Sequence, residues 1–264
     1  MPMKEQLHIP KMKDYTISQV SASDIQDFHT CPRKFYLYRI LRLGQLVDRD
    51  PKAPTNRGSI IHLLLEWGST DQAQQLFKRN QVSEEQASEM LEVVTRFQKS
   101  AFMRRLQESG ELKKEQAFYL QLSKDGQAPR YLKGFIDALV WQDDGTLLIV
   151  DYKTGASEKE ATDYQVQADC YALAGLFMSA ESVQVLMVRP EVCDTHGEPQ
   201  CFTFDYAASQ QEMLREKLMI AIDAMEDAQN ASLDGVDVKH CKRECSIYGT
   251  LCHGSSNGEG AATC

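Results

Sequence analysis

Two apolar segments on either side of a short acidic turn constrain the fold of this chain most strongly. The first reads GFIDALVW, the second reads TLLIVDYKTG, and QDDG joins them across residues 134–155. Apolar and β-branched runs bounded by an Asp-Gly turn are typical of a β-hairpin. Asp137, Asp151 and Lys153 interrupt these apolar segments. The hairpin therefore fixes where three charged side chains lie relative to one another.

The length of the turn decides whether the two aspartates meet. A two-residue DG loop would pair Asp137 with Tyr152 and place the carboxylates on opposite faces of the sheet. A three-residue DDG loop, with Gly145 in the left-handed conformation, pairs Asp137 directly with Asp151. Directly opposed residues have β-carbons about 4.5–5.5 Å apart.

Two carboxylates that close repel each other unless a cation lies between them. Hard oxygen ligands of this kind suit Mg²⁺ or Mn²⁺, so we predict the three-residue loop and a metal site formed by Asp137 and Asp151. Lys153 would then orient the attacking water or neutralise charge in the transition state. The alternative is that the two aspartates lie at strand ends in solvent and that Lys153 is an ordinary surface lysine.

The rest of the pattern predicts an α/β fold, a three-layer sandwich around a central mixed sheet. The first half is helical, with capping-box patterns at Ser23-x-x-Gln26 and Ser83-x-x-Gln86 and with Pro32 in the first turn of a helix. Strands are predicted near 116–123, 132–141, 146–153 and 182–189. A crossover helix is predicted near 161–179, with Cys170 on its apolar stripe, and another follows Ser209 with Leu214, Leu218, Ala221, Ile222 and Met225 facing inward.

Composition limits where the chain works and what it binds. No run approaches the roughly 18 apolar residues of a membrane helix, and the N-terminus lacks the apolar region of a signal peptide, which predicts a cytoplasmic protein with no membrane partner. The net charge of −9 argues weakly against nucleic acid. However, residues 31–57 carry seven Lys or Arg against two Asp or Glu, so a local basic surface and an ordinary solvated helix face are both open.

Several motifs in a fixed order resemble one known family. GFID, VDYKTG and Gln167-x-x-x-Tyr171 resemble the RecB-type branch of the PD-(D/E)XK nucleases, and RGSIIHLLLE, which contains His62, resembles the histidine motif that precedes them. SASDIQDFHTCPRKFYLYRI and CKRECSIYGTLC resemble the cysteine segments of the members that hold a four-iron, four-sulfur cluster, such as AddB-like and CRISPR-associated spacer-acquisition nucleases. The resemblance runs from about residue 18 to residue 252.

The resemblance implies a role for each matching residue. His62, Asp137 and Asp151 would bind the catalytic Mg²⁺ or Mn²⁺, Lys153 would act on the attacking water, and Gln167 and Tyr171 would support the site or touch DNA. For His62, a satisfied histidine in the core is the alternative. Glu115 could add a further acidic group, although its motif is weak and we interpret it as an ordinary surface glutamate.

The cysteines point to a second centre. Cys241-x3-Cys245-x6-Cys252 is compact, and the family pattern names Cys31 as the fourth ligand of a 4Fe-4S cluster. Thiolates select iron-sulfur clusters or zinc, and zinc sites more often show C-x2-C pairs, so we favour the cluster. A zinc site that uses His253 or His240 remains an alternative. Cys193, Cys201 and Cys264 have no assigned partner.

A cluster between Cys31 and the C-terminal cysteines would fix the basic CPRKFYLYRILR segment beside the active site. Arg33, Lys34, Arg39 and Arg42 could then follow a phosphate backbone. The alternative is that Phe35, Tyr36 and Leu37 are simply core contacts. We predict one nuclease domain over 1–264, divided into a helical part (18–110), a catalytic core (111–205), a C-terminal helix and cysteine segment (206–253) and a tail (254–264).

The sequence therefore predicts a metal-dependent DNA nuclease, an exonuclease acting on single-stranded DNA or on DNA ends in repair, recombination or phage or CRISPR-type processing. The alternative is a binding or assembly module that keeps the fold without turnover. No G-x4-G-K-[ST] loop occurs in the chain, so a helicase or recombination partner would be a separate protein.

Overall fold

The computed structural model describes residues 16–43, 57–67, 72–124, 126–155, 160–227 and Cys252. The chain divides into two compact units. The first takes the described residues of Met1–Ala53, Ser123–Arg130 and Met219–Cys264, and the second takes those of Pro54–Leu122 and Tyr131–Leu218. In this part of the chain, no helix is both long and apolar enough to cross a bilayer.

The first unit begins with short elements whose caps are local. It contains β1 (Gln19–Val20), α1 (Ala22–Thr30), α2 (Pro32–Phe35) and a π-helical turn (Tyr36–Ile40). Ser21 caps α1 by a capping box with Asp24, in which each side chain bonds the other residue's backbone N–H. The predicted box at Ser23 and Gln26 is therefore wrong, because the helix begins two residues earlier, with Ser21 as its N-cap and Asp24 as the partner of Ser21. Pro32 occupies the first turn of α2, as predicted.

The second unit combines a helical layer with a sheet. Its helices and strands are α3 (Arg57–Trp67), α4 (Ala73–Arg79), α5 (Glu84–Lys99), α6 (Ala101–Glu108), β2 (Leu112–Gln121), β3 (Tyr131–Trp141), β4 (Thr146–Tyr152), α7 (Gln165–Phe177), β5 (Ser182–Cys193), β6 (Pro199–Ala207) and α8 (Gln211–Asp227), the last of which continues into the first unit. Ser83 and Gln86 form the predicted capping box of α5.

The sheet of the second unit is mixed, as predicted. Its strands follow the order β2-β3-β4-β5-β6, and every neighbouring pair is antiparallel except β4 and β5. The parallel pair needs a crossover, which α7 provides. Because a parallel strand is covered on both faces, β4 reads as a continuous apolar run.

Successive side chains of β4 point to opposite faces of the sheet, and each face packs against a different layer of helices. Leu148 and Val150 pack with helices α3 to α6 on one face of the sheet. Leu147 and Ile149 face α7, where a β-carbon on Gly175 would lie 3.1–3.2 Å from their side chains. Cys170 is fully buried on α7, as predicted. In α8 the predicted inward positions are also confirmed: Leu214, Leu218, Ile222 and Met225 are buried and Ala221 is partly buried.

Candidate active site

The hairpin of β3 and β4 has the three-residue turn that the sequence predicted. Ala138 pairs with Val150, and the last backbone bond before the loop runs from Gln142 N to Thr146 O at 2.9 Å. Gly145 adopts the left-handed conformation with φ of 82°, a geometry that glycine tolerates without strain. One further step along this register lies the pair Asp137 and Asp151.

Asp151 is a buried carboxylate with three close partners. Its Oδ1 accepts hydrogen bonds from the Tyr171 hydroxyl at 2.7 Å and from Gln167 Nε2 at 3.0 Å, while Lys153 Nζ lies 2.5 Å from Oδ2. Burial raises the pKa of Asp151, the positive charge of Lys153 opposes that rise, and the negative charge of Asp137 adds to it. The two aspartates are thus close enough to repel.

Lys153 closes this network on the other side. Its Nζ donates to Gln167 Oε1 at 2.5 Å and lies 5.8 Å from the centre of the Tyr164 ring. Gln167 Nε2 in turn donates to the Tyr171 hydroxyl at 3.0 Å. Residues four apart on a helix share a face, so α7 presents Gln167 and Tyr171 together to Asp151.

Asp137 and His62 form the open side of the site. Asp137 Oδ2 accepts the backbone N–H of Tyr152 at 2.7 Å and lies 3.4 Å from His62 Nδ1. Burial lowers the pKa of His62, but the neighbouring carboxylate of Asp137 outweighs this effect, and the pKa is raised overall. The His62 ring also contacts Tyr152 edge to face, with centroids 6.2 Å apart. His62 thus contacts a site residue rather than lying sealed in the core.

A cleft of about 590 Å³ opens at His62 and Asp137 and is lined also by Glu66, Glu115 and Thr154. Glu115 lies in β2 between the residues that pair with Ala138 and Ile136, and its φ of 48° is unusual for a non-glycine residue in a strand. Burial raises the pKa of Glu115, and the charges of Asp137 and Glu66 raise it further. The sequence interpretation of Glu115 as an ordinary surface residue therefore missed its place in the cleft, since no pattern signals this backbone conformation.

Gly134 of the GFID motif has a packing role. A β-carbon at Gly134 would lie 2.7 Å from Phe118 Cζ, so only glycine leaves room for the Phe118 ring across the strand pair. Phe118 then meets Tyr171 edge to face, with centroids 6.2 Å apart. The glycine thereby supports the tyrosine that bonds Asp151.

The segment that follows Lys153 is held by side chains of β5. Gly155 N donates to Glu191 Oε2 at 2.7 Å, and Arg189 Nη2 donates to Gly155 O at 2.9 Å. Glu191 also forms an ion pair with Arg57 at the start of α3. These contacts connect the helix of His62 to the strand end of Lys153, and no sequence motif predicted them.

The donor set suits a hard divalent cation, although it is not a preformed cage. In the described ranges, no three His, Cys, Asp or Glu side chains are placed to hold an ion together. Asp137 offers a carboxylate oxygen and His62 a ring nitrogen to the cleft. Asp151 is buried next to them and does not line the cleft. Lys153 is the ammonium that the described residues place against Asp151, and Asp137 has the His62 ring beside it. Because two neighbouring carboxylates repel each other, a divalent cation fits the charge of the site.

The predicted DNA-binding residues differ in their surroundings. Arg33 is only 7% exposed, so its guanidinium does not face solvent. Arg39 is engaged by Asp24 at 2.9 Å and by Asp27 at 3.2 Å. Lys34 lies over the Tyr38 ring at 5.8 Å, and Arg42 adopts a positive φ of 54°. The core interpretation of Phe35, Tyr36 and Leu37 is confirmed, since all three are buried.

Two of the four predicted cluster cysteines are described, and both belong to the first unit. Cys31 is buried, and its Sγ accepts the backbone N–H of Lys34 at 3.4 Å as the cap of α2. Cys252 is also buried. The other predicted ligands and alternatives lie outside the described residues, as does one unassigned cysteine: Cys241, Cys245, His240, His253 and Cys264.

Comparison with known proteins identifies the family of this chain. The model of the PD-(D/E)XK nuclease superfamily matches residues 19–253, and the protein therefore belongs to the PD-(D/E)XK nuclease superfamily. Comparison with curated proteins gives no match.

Two solved structures are similar to this chain at low sequence identity, and the first of them shares its fold. One, described as a "Putative exonuclease" from Eubacterium rectale, is 15% identical with a TM-score of 0.51 over 81% of this chain and 82% of that chain. Another, described as "Crystal structure of SSO0001", is 17% identical with a TM-score of 0.45 over 89% of this chain and 86% of that one.

Proposed function

We propose that this protein is a metal-dependent DNA nuclease of the RecB-type branch, acting as an exonuclease on single-stranded DNA or on DNA ends. The supporting observation is the network in which Lys153, Gln167 and Tyr171 surround the buried carboxylate of Asp151, next to Asp137 and His62 at an open cleft. A lysine held this close to a buried carboxylate is poised for electrostatic work at a reacting group.

Asp137, Asp151 and His62 would hold Mg²⁺ or Mn²⁺. When bound, such an ion supplies a nucleophilic water and polarises a phosphoryl oxygen. Lys153, whose ammonium is fixed by Asp151 and Gln167, orients the attacking water or stabilises the charge that develops on the phosphate. Gln167 and Tyr171 keep Asp151 Oδ1 in place, and Arg189 and Glu191 hold the backbone after Lys153.

The Cys31, Cys241, Cys245 and Cys252 set is proposed to bind a 4Fe-4S cluster with a structural role. The burial of Cys31 and Cys252 in one unit is compatible with this proposal. A single domain, a cytoplasmic location and a helicase or recombination partner on another chain belong to the same proposal, as do phosphate contacts by the basic N-terminal segment.

The alternative is a binding module with the nuclease fold. The presence of Asp137, Asp151 and Lys153 together beside an open cleft argues for turnover, because this set combines possible metal ligands with a cation that could act on a reacting group.

The test uses purified protein, Mg²⁺ or Mn²⁺, and end-labelled linear and circular DNA. We expect degradation of linear DNA, loss of cleavage on addition of a chelator, and no cleavage by the Asp151→Asn variant. Asp205→Asn, which changes an exposed aspartate on β6, is the matched control and should cut like the parent. Binding without cleavage under every condition would establish the binding module instead.

A further inference from the structure

The outer halves of β2 and β3 expose an unusual set of side chains. The pairs Ala117 with Phe135, Tyr119 with Lys133 and Gln121 with Tyr131 face each other across the antiparallel ladder. Paired residues of a sheet share a face, and successive residues alternate. We call these six residues the ribbon face. Leu132 and Ile136, at the alternate positions, are fully buried.

Two of the three aromatic residues of the ribbon face are exposed, and the third, Tyr131, is half-buried. Phe135 is 63% exposed and Tyr119 is 56% exposed. Tyr119 and Tyr131 stack with their centroids 4.6 Å apart and their planes 21° apart. Isolated exposed apolar residues are common on proteins, but a cluster of exposed rings marks a surface that binds something.

Charge on the ribbon face selects the partner. Lys133 is exposed between the rings, and neither 116–121 nor 131–136 contains an acidic residue, although the chain as a whole has a net charge of −9. Exposed rings next to a cation are the combination that binds single-stranded nucleic acid, because bases stack on the rings and phosphates approach the ammonium. A duplex keeps its bases stacked inside and cannot offer them to the rings.

The ribbon face is also continuous with the candidate active site. Phe135 precedes Asp137 by two residues on β3, which corresponds to about 7 Å along the strand. A strand lying on the rings therefore has its backbone within reach of the catalytic carboxylates.

We propose that the ribbon face is a stacking platform that binds single-stranded DNA and delivers it to Asp137. This inference rests on the proposed nuclease function and deepens it, since it assigns the substrate preference to Tyr119, Tyr131 and Phe135. The same rings make single-stranded DNA a better ligand than duplex DNA.

The experiment measures binding of short single-stranded and duplex DNA in Ca²⁺, with 2-aminopurine in the single strand as a reporter of stacking. The parent should quench the reporter and bind the single strand more tightly. Phe135→Leu and Tyr119→Leu should each weaken single-strand binding about tenfold, as expected for one lost base stack, with reduced quenching and unchanged duplex binding. Phe177→Leu is the matched control, because Phe177 is an exposed ring (39%) at the end of α7, and it should behave like the parent.

Two further readouts keep the outcome clear. Lys133→Gln should flatten the salt dependence of single-strand binding, and thermal unfolding should show that each variant is folded. Phe135→Leu is the variant least expected to disturb folding, because the Phe135 side chain is mostly in solvent and Leu is also an apolar residue.

If the variants bind single-stranded DNA and quench the reporter like the parent, the ribbon face is not a stacking platform. Cleavage of linear DNA by the same proteins would still support the nuclease assignment. Tighter binding of duplex DNA than of single-stranded DNA by the parent would also overturn the platform. If the substitutions change only the oligomeric state of the protein, the ribbon face is a protein contact instead. If the parent never cuts but the variants lose stacking, the platform stands and the nuclease assignment falls.

Discussion

Replacement of Lys153 by Met should show how much the buried carboxylate of Asp151 depends on its cation. Met keeps most of the aliphatic stem but removes the ammonium that lies 2.5 Å from Asp151 Oδ2. The Asp151 side chain is only 5% exposed, and a buried charge that loses its partner destabilises a protein by about 3–5 kcal/mol.

Two effects limit the loss in the free energy of unfolding. The first is protonation, because a carboxylate without its cation can bind a proton instead of staying charged. At pH 7.5, protonating an aspartate with an ordinary pKa near 3.9 costs about 4.9 kcal/mol, and the loss cannot exceed this cost. Tyr171 and Gln167 still donate to Oδ1, so we expect a loss of about 3 kcal/mol. For a chain of this size that loss lowers the Tm by about 6–12 °C.

The assay is thermal unfolding with a chelator present, on the parent, Lys153→Met, Asp151→Asn and the double variant. Because the amide introduced by Asp151→Asn carries no charge, the double variant should lose much less stability than the sum of the two single variants. Mg²⁺ should restore part of the stability of Lys153→Met but not that of the double variant. A loss below about 1 kcal/mol, or an equal loss in the Asp151→Asn background, would refute the reasoning.

Three further outcomes follow from the same contacts. Lys153→Ala should lower the single-turnover cleavage rate by a factor on the order of 10² and leave DNA affinity in Ca²⁺ within a few fold, whereas Arg42→Ala should weaken binding and leave the rate at saturating DNA unchanged; equal cutting by Lys153→Ala and the parent would contradict the role of the lysine. Gly134→Ala should destabilise by about 1–3 kcal/mol in thermal unfolding, because its methyl group would meet the Phe118 ring, and Phe118→Leu in the same chain should relieve part of the loss; a stable Gly134→Ala protein would count against the contact. Protein purified without oxygen should be brown and contain iron and sulfide, and Cys→Ser at Cys31, Cys241, Cys245 or Cys252 should bleach it; a colourless protein with stoichiometric zinc would reject the iron-sulfur assignment.

Features that depend on neighbours in the sequence were predictable. The Asp-Gly signal predicted a tight turn before Thr146, and the three-residue form was chosen because it opposes Asp137 to Asp151. The shared face of Gln167 and Tyr171 follows from a spacing of four on a helix. Burial of Cys170 follows from its apolar stripe. Each of these predictions uses residues that are close together in the sequence.

Features that depend on contacts between residues far apart in the sequence were not predictable. The sequence did not show that Arg33 is buried or that Arg39 pairs with Asp24 and Asp27. Glu115 looked like a surface residue and lines the cleft. Charge and exposure are set by what packs nearby, and a short motif contains no information about that.

The sequence by itself determined the class of fold, the hairpin around the Asp-Gly turn and the helix that carries Gln167 and Tyr171, because hydrophobic periodicity and turn chemistry act over a few residues. Only the tertiary structure decided that Lys153 bonds both Asp151 and Gln167, that Glu191 holds Gly155, and that Tyr119 and Phe135 of the ribbon face remain exposed. These arrangements join residues that lie far apart along the chain, and their energies arise from burial and from pairing of charge, which exist only once the strands and helices have packed.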